Sequence, residues 1–463
     1  MERRDKNTQS LRLLHGWLIF AVSALIFAGI FALLIAMART PFIQELFSGA
    51  DYIKVALVGH VNLSFVIWFL AFEGGLWTLA ATSFLSRGTF NAKASWAGLM
   101  LSGAGTILII TASLFNLGKP IFINYVPVLD HPVFYLGLML LFAGILVTLV
   151  TGFLTMWKAR KDEEKHMPLF GFGMYVSAVS AFSALLCFAL SYYFEASKSN
   201  GALIDLETIF WGGGHMLQFA NTTAMVSVWL YLTELLFDTA SIRVRYGKAV
   251  YAIFLIFIVA APFSYLFYDT GSYDYRRFFT RLMQYGLGPS TGIFAASILA
   301  VMSRSQKEGL LPAFKKLPWG KAEFSSLAVS MVLFALGGII SFTISGYNTK
   351  VPSHYHGAIG AVTMAFMGMT YHLIGKLGRK IYSNRMARLQ PYVYGAGQSL
   401  FIFGMFWAGS HGVARKTFGA AQRLDDPVKI ISMVIFGLGG LVAIIGGIMF
   451  VANAGISLLR RQD

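Results

Sequence analysis

Ser353-His354-Tyr355-His356-Gly357 stands at the head of a long apolar run that ends near Lys376. On a helix each residue advances about 100° around the axis, so histidines at i and i+2 point roughly 200° apart. They face opposite sides of one helix and cannot share one metal. If both bind metal, the helix becomes a partition between two centres. Imidazole suits iron, copper and zinc, and ionisable residues inside a membrane span are functional candidates by default. A second reading of the same pair is a polar helix start whose rings bond water and loop carbonyls. The remainder of the chain separates the two readings.

Of 463 residues, 56% are hydrophobic and 15% aromatic, against 13% charged. That balance excludes a large soluble core and indicates a polytopic membrane protein. The formal charge of +16 lies between apolar runs, which suits loops beside anionic lipid rather than nucleic acid. Cys187 is the one cysteine, so no internal disulfide is expected, and no Cys-x-x-Cys-His can attach a haem covalently. Walker loops, dinucleotide fingerprints and zincin helices are absent from the sequence. The stretch from Trp17 to Ala38, after Arg3, Arg4 and Arg12, carries a cleavage-like Ala36-Met37-Ala38. It is too long for a signal peptide and reads as an uncleaved first span.

Apolar runs of spanning length lie near 13–38, 55–83, 96–115, 131–156, 170–194, 210–236, 248–268, 281–303, 324–345, 352–376, 391–409 and 428–458. The expectation is an all-α bundle of twelve transmembrane helices forming a single domain over residues 1–463, because irregular backbone is excluded from lipid. With the N-terminus placed in the cytoplasm, inner segments carry 25 of the 37 Lys and Arg residues and outer segments carry 12. The asymmetry predicts both termini on the cytoplasmic side of an inner membrane. Helices 2, 6 and 10 then all run inward, and His60, His215, His354 and His356 fall within about 10 Å of the outer boundary. His15 and His166 fall near the inner edge, His131 and His411 at outer loop ends. His372 lies about 24 Å deeper than His356.

This pattern resembles subunit I of the haem-copper oxidase superfamily, which includes cytochrome c oxidases, quinol oxidases and nitric oxide reductases. The resemblance is carried by Gly59-His60-Val61-Asn62-Leu63-Ser64, Trp211-Gly212-Gly213-Gly214-His215 and Ser353-His354-Tyr355-His356, and it covers nearly the whole chain. It implies that His60 and His356 are the axial ligands of a low-spin haem, and that His354 is the proximal ligand of a second haem. His215 matches the helix 6 histidine that binds the family's non-haem metal. Gly412-Val413-Ala414-Arg415-Lys416 resembles the basic pair that holds haem propionates. A solvated loop facing an acidic partner is the other reading of Arg415 and Lys416. Arg276, Arg277 and Arg281 form a second basic cluster open to the same two readings.

The chain also departs from that pattern. The family's non-haem metal takes two further, adjacent histidines at the outer end of helix 7, yet no histidine occurs between Met216 and Ser353. One histidine cannot hold copper or non-haem iron securely, so copper is expected to be absent or incomplete. Three roles remain open for His215: binding the second iron from its distal side, hydrogen-bonding a ligand there, or serving as a polar group between helices. Glu73, near the middle of helix 2, is a proton-path candidate. An ionised carboxylate there costs about 2.5–3.5 kcal/mol or more, so a neutral acid facing the bundle interior is expected. Its alternative role is a bond to a neighbouring helix.

The leading expectation is a respiratory oxidoreductase component with two non-covalent haems, passing electrons to oxygen or nitric oxide. A cytochrome c-like, cupredoxin-like or other electron-donating subunit would sit on the outer face, and a quinone is a further candidate partner. The alternatives are a di-haem electron conduit without copper, or a non-catalytic haem-based gas-binding or assembly subunit. A transporter is the remaining class.

Overall fold

A computed structural model describes residues 2–46, 50–83, 88–160, 167–198, 204–304 and 316–460. His166 and part of the basic loops lie outside the described residues. The chain is an all-α membrane protein of twelve long helices, as the apolar runs predict. They are α1 (Glu2–Arg39), α2 (Asp51–Thr82), α3 (Ala92–Leu114) and α4 (Pro132–Arg160). Then come α5 (Leu169–Lys198), α6 (Leu206–Phe237), α7 (Val244–Phe263) and α8 (Tyr273–Arg304). The last four are α9 (Ala322–Ser341), α10 (Lys350–Lys376), α11 (Asn384–Ser410) and α12 (Pro427–Leu459). Two three-residue strands, Lys119–Ile121 and Val128–Asp130, lie in the connection from α3 to α4.

Among the described residues, ten helices are long and apolar enough to cross a bilayer by length and composition alone; α6 and α11 are not among them. α6 buries Asn221, Thr222, Thr223 and Ser227 among its neighbours. A helix screened from lipid can carry such side chains when packing satisfies them. Its start is set by Asp205, whose side chain accepts from the Glu207 amide at 3.0 Å, satisfying one of the orphan donors of the first turn.

Two helix limits differ from the apolar pattern. α7 stops at Phe263, just after Pro262, and continues as a short 3-10 turn over Ser264–Leu266. α8 begins at Tyr273 rather than near 281, so Arg276, Arg277 and Arg281 stand on its first turns. Charged first turns extend a helix beyond the apolar core without changing hydropathy in the span, which is why the pattern starts late.

The chain folds as two compact units. One comprises Met1–Phe20, Phe69–Ile109 and Ile121–Leu317; the other comprises Ala21–Trp68, Ile110–Pro120 and Pro318–Asp463. Within the first, α5 packs on α6 and α7, and α8 on α6 and α7. Within the second, α9 packs on α10 and α11 on α12, with α10 also against α11. Glycine makes these approaches close. A Cβ on Gly337 would lie 2.8 Å from both the Ala358 nitrogen and the His354 carbonyl oxygen, and one on Gly446 would lie 2.6 Å from the Tyr394 backbone. Small residues at such contacts let helix backbones meet where no hydrophobic force draws them together.

Candidate functional site

His60, His354 and His356 all belong to the second unit. His60 ends the regular first part of α2, and the helix then widens to a π-turn over Asn62–Ile67. Single π-turns inside α-helices are frequent at functional sites. Side chains tie the distortion down: the Asn62 amide donates to the Val58 carbonyl at 2.9 Å, and the Ser64 hydroxyl to the His60 carbonyl at 2.7 Å. Gly59 brings α1 close, since a Cβ there would sit 2.8 Å from the Phe31 ring. That approach lets the His60 Nδ1 donate to the Ala28 carbonyl of α1 at 3.0 Å. The Nε2 lone pair is then the one left for a ligand.

α10 carries the other two rings. Pro352 stands in its first turn, where a missing N–H costs nothing. Hydroxyls fix the helix against α11: Thr349 donates to the Met405 carbonyl at 2.7 Å and Ser353 to the Ile402 carbonyl at 2.8 Å. His354 Nδ1 donates to the Gly337 carbonyl of α9 at 2.8 Å. His356 turns the other way, its ring 4.9 Å from that of Phe401 on α11. Among the described residues, His356 makes no hydrogen bond.

Arg39, at the end of α1, is 7% exposed. Its guanidinium lies 5.4 Å over the Phe436 ring and donates weakly to the Ala414 carbonyl at 3.5 Å, while its Nε has no hydrogen-bond partner. Arg415 lies 4.5 Å over the Tyr347 ring, and both guanidiniums act electrostatically on the phenol of Tyr355. Lys416, next in sequence, has a left-handed backbone with φ +59°. The donor set fits a haem: two free Nε2 positions with their opposite nitrogens on carbonyls, aromatic walls, and an orphaned buried guanidinium suited to a carboxylate. In the sequence the one signal for Arg39 is a cation at the end of an apolar run.

His215 lies in the first unit and has a different surrounding. Its Nδ1 donates to the Trp211 carbonyl at 2.7 Å, so its Nε2 accepts from the Tyr125 hydroxyl at 3.1 Å. Tyr125 comes from the α3–α4 connection with φ +67°. Its loop is anchored by Glu207, whose carboxylate accepts from the Asn124 backbone N–H and side-chain amide at 2.8 and 2.7 Å. The Gly212-Gly213-Gly214 run is the cradle for this arrangement. A methyl group at Gly214 would overlap the Tyr125 ring, one at Gly213 the Phe188 ring, and one at Gly212 would meet the Tyr265 hydroxyl at 2.5 Å.

The 3-10 turn that follows α7 carries Tyr265. Its hydroxyl bonds Ser191 at 2.8 Å, Tyr275 at 2.9 Å and the Cys187 carbonyl at 3.1 Å. Among the described residues, no three His, Cys, Asp or Glu side chains gather as a metal site would require. The residues present do not fit a non-haem copper. Arg276 is occupied elsewhere, 3.7 Å from Asp205 and 5.6 Å over the Trp211 ring. Glu73 is fully buried in the first unit, with neither carboxyl oxygen hydrogen-bonded.

Comparison with known proteins agrees with this architecture. Residues 12–449 match the family described as Cytochrome C and Quinol oxidase polypeptide I. An uncharacterised protein of Rickettsia prowazekii is 26% identical over 96% of this chain and 95% of its own length. An uncharacterised protein of Aquifex aeolicus is 27% identical over 81% of this chain and 88% of its own. The fold is similar to that of a heme-copper terminal oxidase dimer solved by cryo-electron microscopy, with a TM-score of 0.83 at 19% identity, covering 98% of this chain and 85% of that one. The chain is a multi-pass membrane protein that belongs to the cytochrome c and quinol oxidase polypeptide I family, the haem-copper oxidase subunit I type.

Proposed function

We propose that the chain is the haem-carrying subunit of a respiratory oxidoreductase, with a low-spin haem between His60 and His356 and a second haem on His354. The observation that supports this reading is that His60, His356 and Arg39 belong to one unit, where the buried Arg39 keeps an Nε with no hydrogen-bond partner. Two imidazoles on one iron leave no open position, which suits electron transfer. Haem supplies one-electron chemistry and, where one axial position stays open, binding of a small ligand such as oxygen or nitric oxide. The protein's own part is orientation and charge. Carbonyls of Ala28 and Gly337 fix the tautomers of His60 and His354 and raise ligand basicity. Arg39, Arg415 and Lys416 hold the propionates. α10 separates the two centres.

His215 acts as a hydrogen-bonding group paired with Tyr125 rather than as a metal ligand, and copper is absent or incomplete. Glu73 belongs to a proton path. The protein lies in an inner membrane with both termini cytoplasmic, and a cytochrome c-like, cupredoxin-like or other donor subunit delivers electrons from outside. Two readings compete with turnover of oxygen or nitric oxide: a di-haem conduit, with a quinone as one partner, and a gas-binding or assembly subunit.

Reduced-minus-oxidised and carbon monoxide difference spectra separate them. Carbon monoxide binding to half the haem supports an open second site; none, with all haem low-spin, supports the conduit. His60→Ala and His356→Ala should each remove the low-spin signal, and His354→Ala the other. A purified, folded protein that holds no haem would overturn the proposal.

A further inference from the structure

The Lys376 end of the second unit carries cations without acids to meet them. No Asp or Glu occurs between Glu323 and Asp425, while Lys376, Arg379, Lys380, Arg385 and Arg388 fall within thirteen residues. Local structure gathers some of these cations. α10 is followed by Gly378, whose left-handed backbone (φ +74°) lets the Arg379 amide bond the Ile374 carbonyl at 3.0 Å. Such a turn reverses the chain at a helix end and favours glycine. The segment that follows lies on the end of α12. There the Arg379 guanidinium donates to the Arg460 carbonyl at 2.7 Å, and the Tyr382 amide to the Ser457 hydroxyl at 2.9 Å. Asn453 holds Ser383 from both sides, accepting from its amide at 2.9 Å and donating to its carbonyl at 3.0 Å.

Arg379, Lys380 and Arg460 therefore stand together at the last turn of α12. Among the described residues none of the three forms an ion pair. Arg379 spends one of its five N–H donors on the Arg460 carbonyl and keeps the rest; Lys380 is exposed and bonds no group of the protein. The adjoining surface of α12 is apolar. Leu459, Ile448 and Leu441 are 68%, 60% and 47% exposed, and their spacing of 11 and 7 residues puts them on one line of the helix. Leu459 to Ile448 covers about 16 Å, one leaflet of a hydrocarbon core about 30 Å thick. A soluble anion would use the cations and leave that line bare. A zwitterionic lipid would bring its own ammonium against them.

We propose that this surface binds one anionic phospholipid, its phosphodiester held by Arg379, Lys380 and Arg460 and its acyl chains lying along α12 from Leu459 to Ile448. Guanidinium groups suit phosphate because their N–H donors match its oxygens in pairs. In the topology proposed above this end faces the cytoplasm, the side on which basic segments meet anionic headgroups. The bound phosphate joins the turn after α10 to the end of α12 at a place where the protein itself supplies only cations. The inference does not depend on the haem reading.

The test is native mass spectrometry of the detergent-solubilised full chain titrated with dioleoyl phosphatidylglycerol, which gives the dissociation constant of the first lipid bound. The parent should bind it at least about tenfold more tightly than dioleoyl phosphatidylcholine. Each Lys or Arg beside a lipid phosphate is worth about fivefold in affinity, so Arg379→Ala/Lys380→Ala/Arg460→Ala should weaken the first binding step about a hundredfold. Lys380→Glu disturbs no bond within the protein and should weaken it about thirtyfold, which separates lost contact from lost folding. Arg243→Ala/Arg245→Ala/Lys248→Ala removes the same charge at the start of α7 and should stay within about twofold of the parent. An equal loss in that control, or equal binding of phosphatidylcholine by the parent, would overturn the proposal. So would displacement of the lipid by inorganic phosphate, or dihexanoyl phosphatidylglycerol binding as tightly as the dioleoyl form, since either would mean an anion site that makes no use of the α12 line.

Discussion

A histidine's usefulness as a ligand depends on which nitrogen is spoken for. His60 and His354 give Nδ1 to carbonyls of neighbouring helices and leave Nε2 open; His215 spends both nitrogens on protein groups. Gly337 does two things at once, supplying the carbonyl for His354 and letting α9 touch α10. Gly337→Ala should therefore cost about 1–3 kcal/mol by overpacking and loosen the His354 bond. Thermal unfolding would show the first effect, and a lowered iron–histidine stretch in resonance Raman spectra the second. Tyr125→Phe keeps the ring in its glycine cradle but removes the donor to Nε2. Leaving a buried acceptor unmet costs about 1–3 kcal/mol, so the melting temperature should fall while the low-spin haem spectrum stays unchanged. An altered low-spin spectrum in this variant would contradict the separate roles assigned to His215 and His60.

At the scale of elements, the π-turn of α2 decides how His60 is aimed. It inserts one extra residue into the helix between His60 and the span that follows. Deleting Ser64 should remove the extra residue, restore α-pitch and take away the widened turn that follows His60. Helix content by circular dichroism should hold while the low-spin haem band is lost. The α7–α8 connection offers a pH test. The hydrogen bond from Lys198, then that from the Gly271 amide, holds the Asp269 carboxyl below its ordinary range. A depressed carboxyl contributes stability above its ordinary titration range, and that contribution disappears as pH falls through the depressed value. The pair is exposed and screened, so the gain is small. Asp269→Asn should lower stability slightly at neutral pH and make no difference in strong acid, which acid titration of the melting temperature would show.

At the scale of the molecule, the second unit gathers His60, His354, His356, Arg39, Arg415 and Lys416, while the first holds His215, its tyrosines and Glu73. No histidine occurs between Met216 and Ser353, and among the described residues no three His, Cys, Asp or Glu side chains gather. Metal analysis of the purified chain should find about two irons for each polypeptide and substoichiometric copper. Dialysis against a copper chelator should leave the haem spectra unaltered. Stoichiometric copper that resists dialysis would mean that His215 and undetected partners do form a metal centre.

Much was legible from residue order alone, because the physics involved is local. Twelve apolar runs of bilayer length, the lopsided placement of lysine and arginine, and the opposed faces of His354 and His356 all follow from helical rise, pitch and the cost of polar groups in lipid. The early start of α8 was hidden because its first turns are charged. The pairings were hidden for a different reason. Tyr125 reaches His215 across 90 positions and Arg39 reaches Ala414 across 375, and no periodicity links residues so far apart. The π-turn was also invisible, since no composition distinguishes it from α-helix. Tertiary packing alone decided that His215 is capped by a phenol and that the buried Arg39 lies over the Phe436 ring.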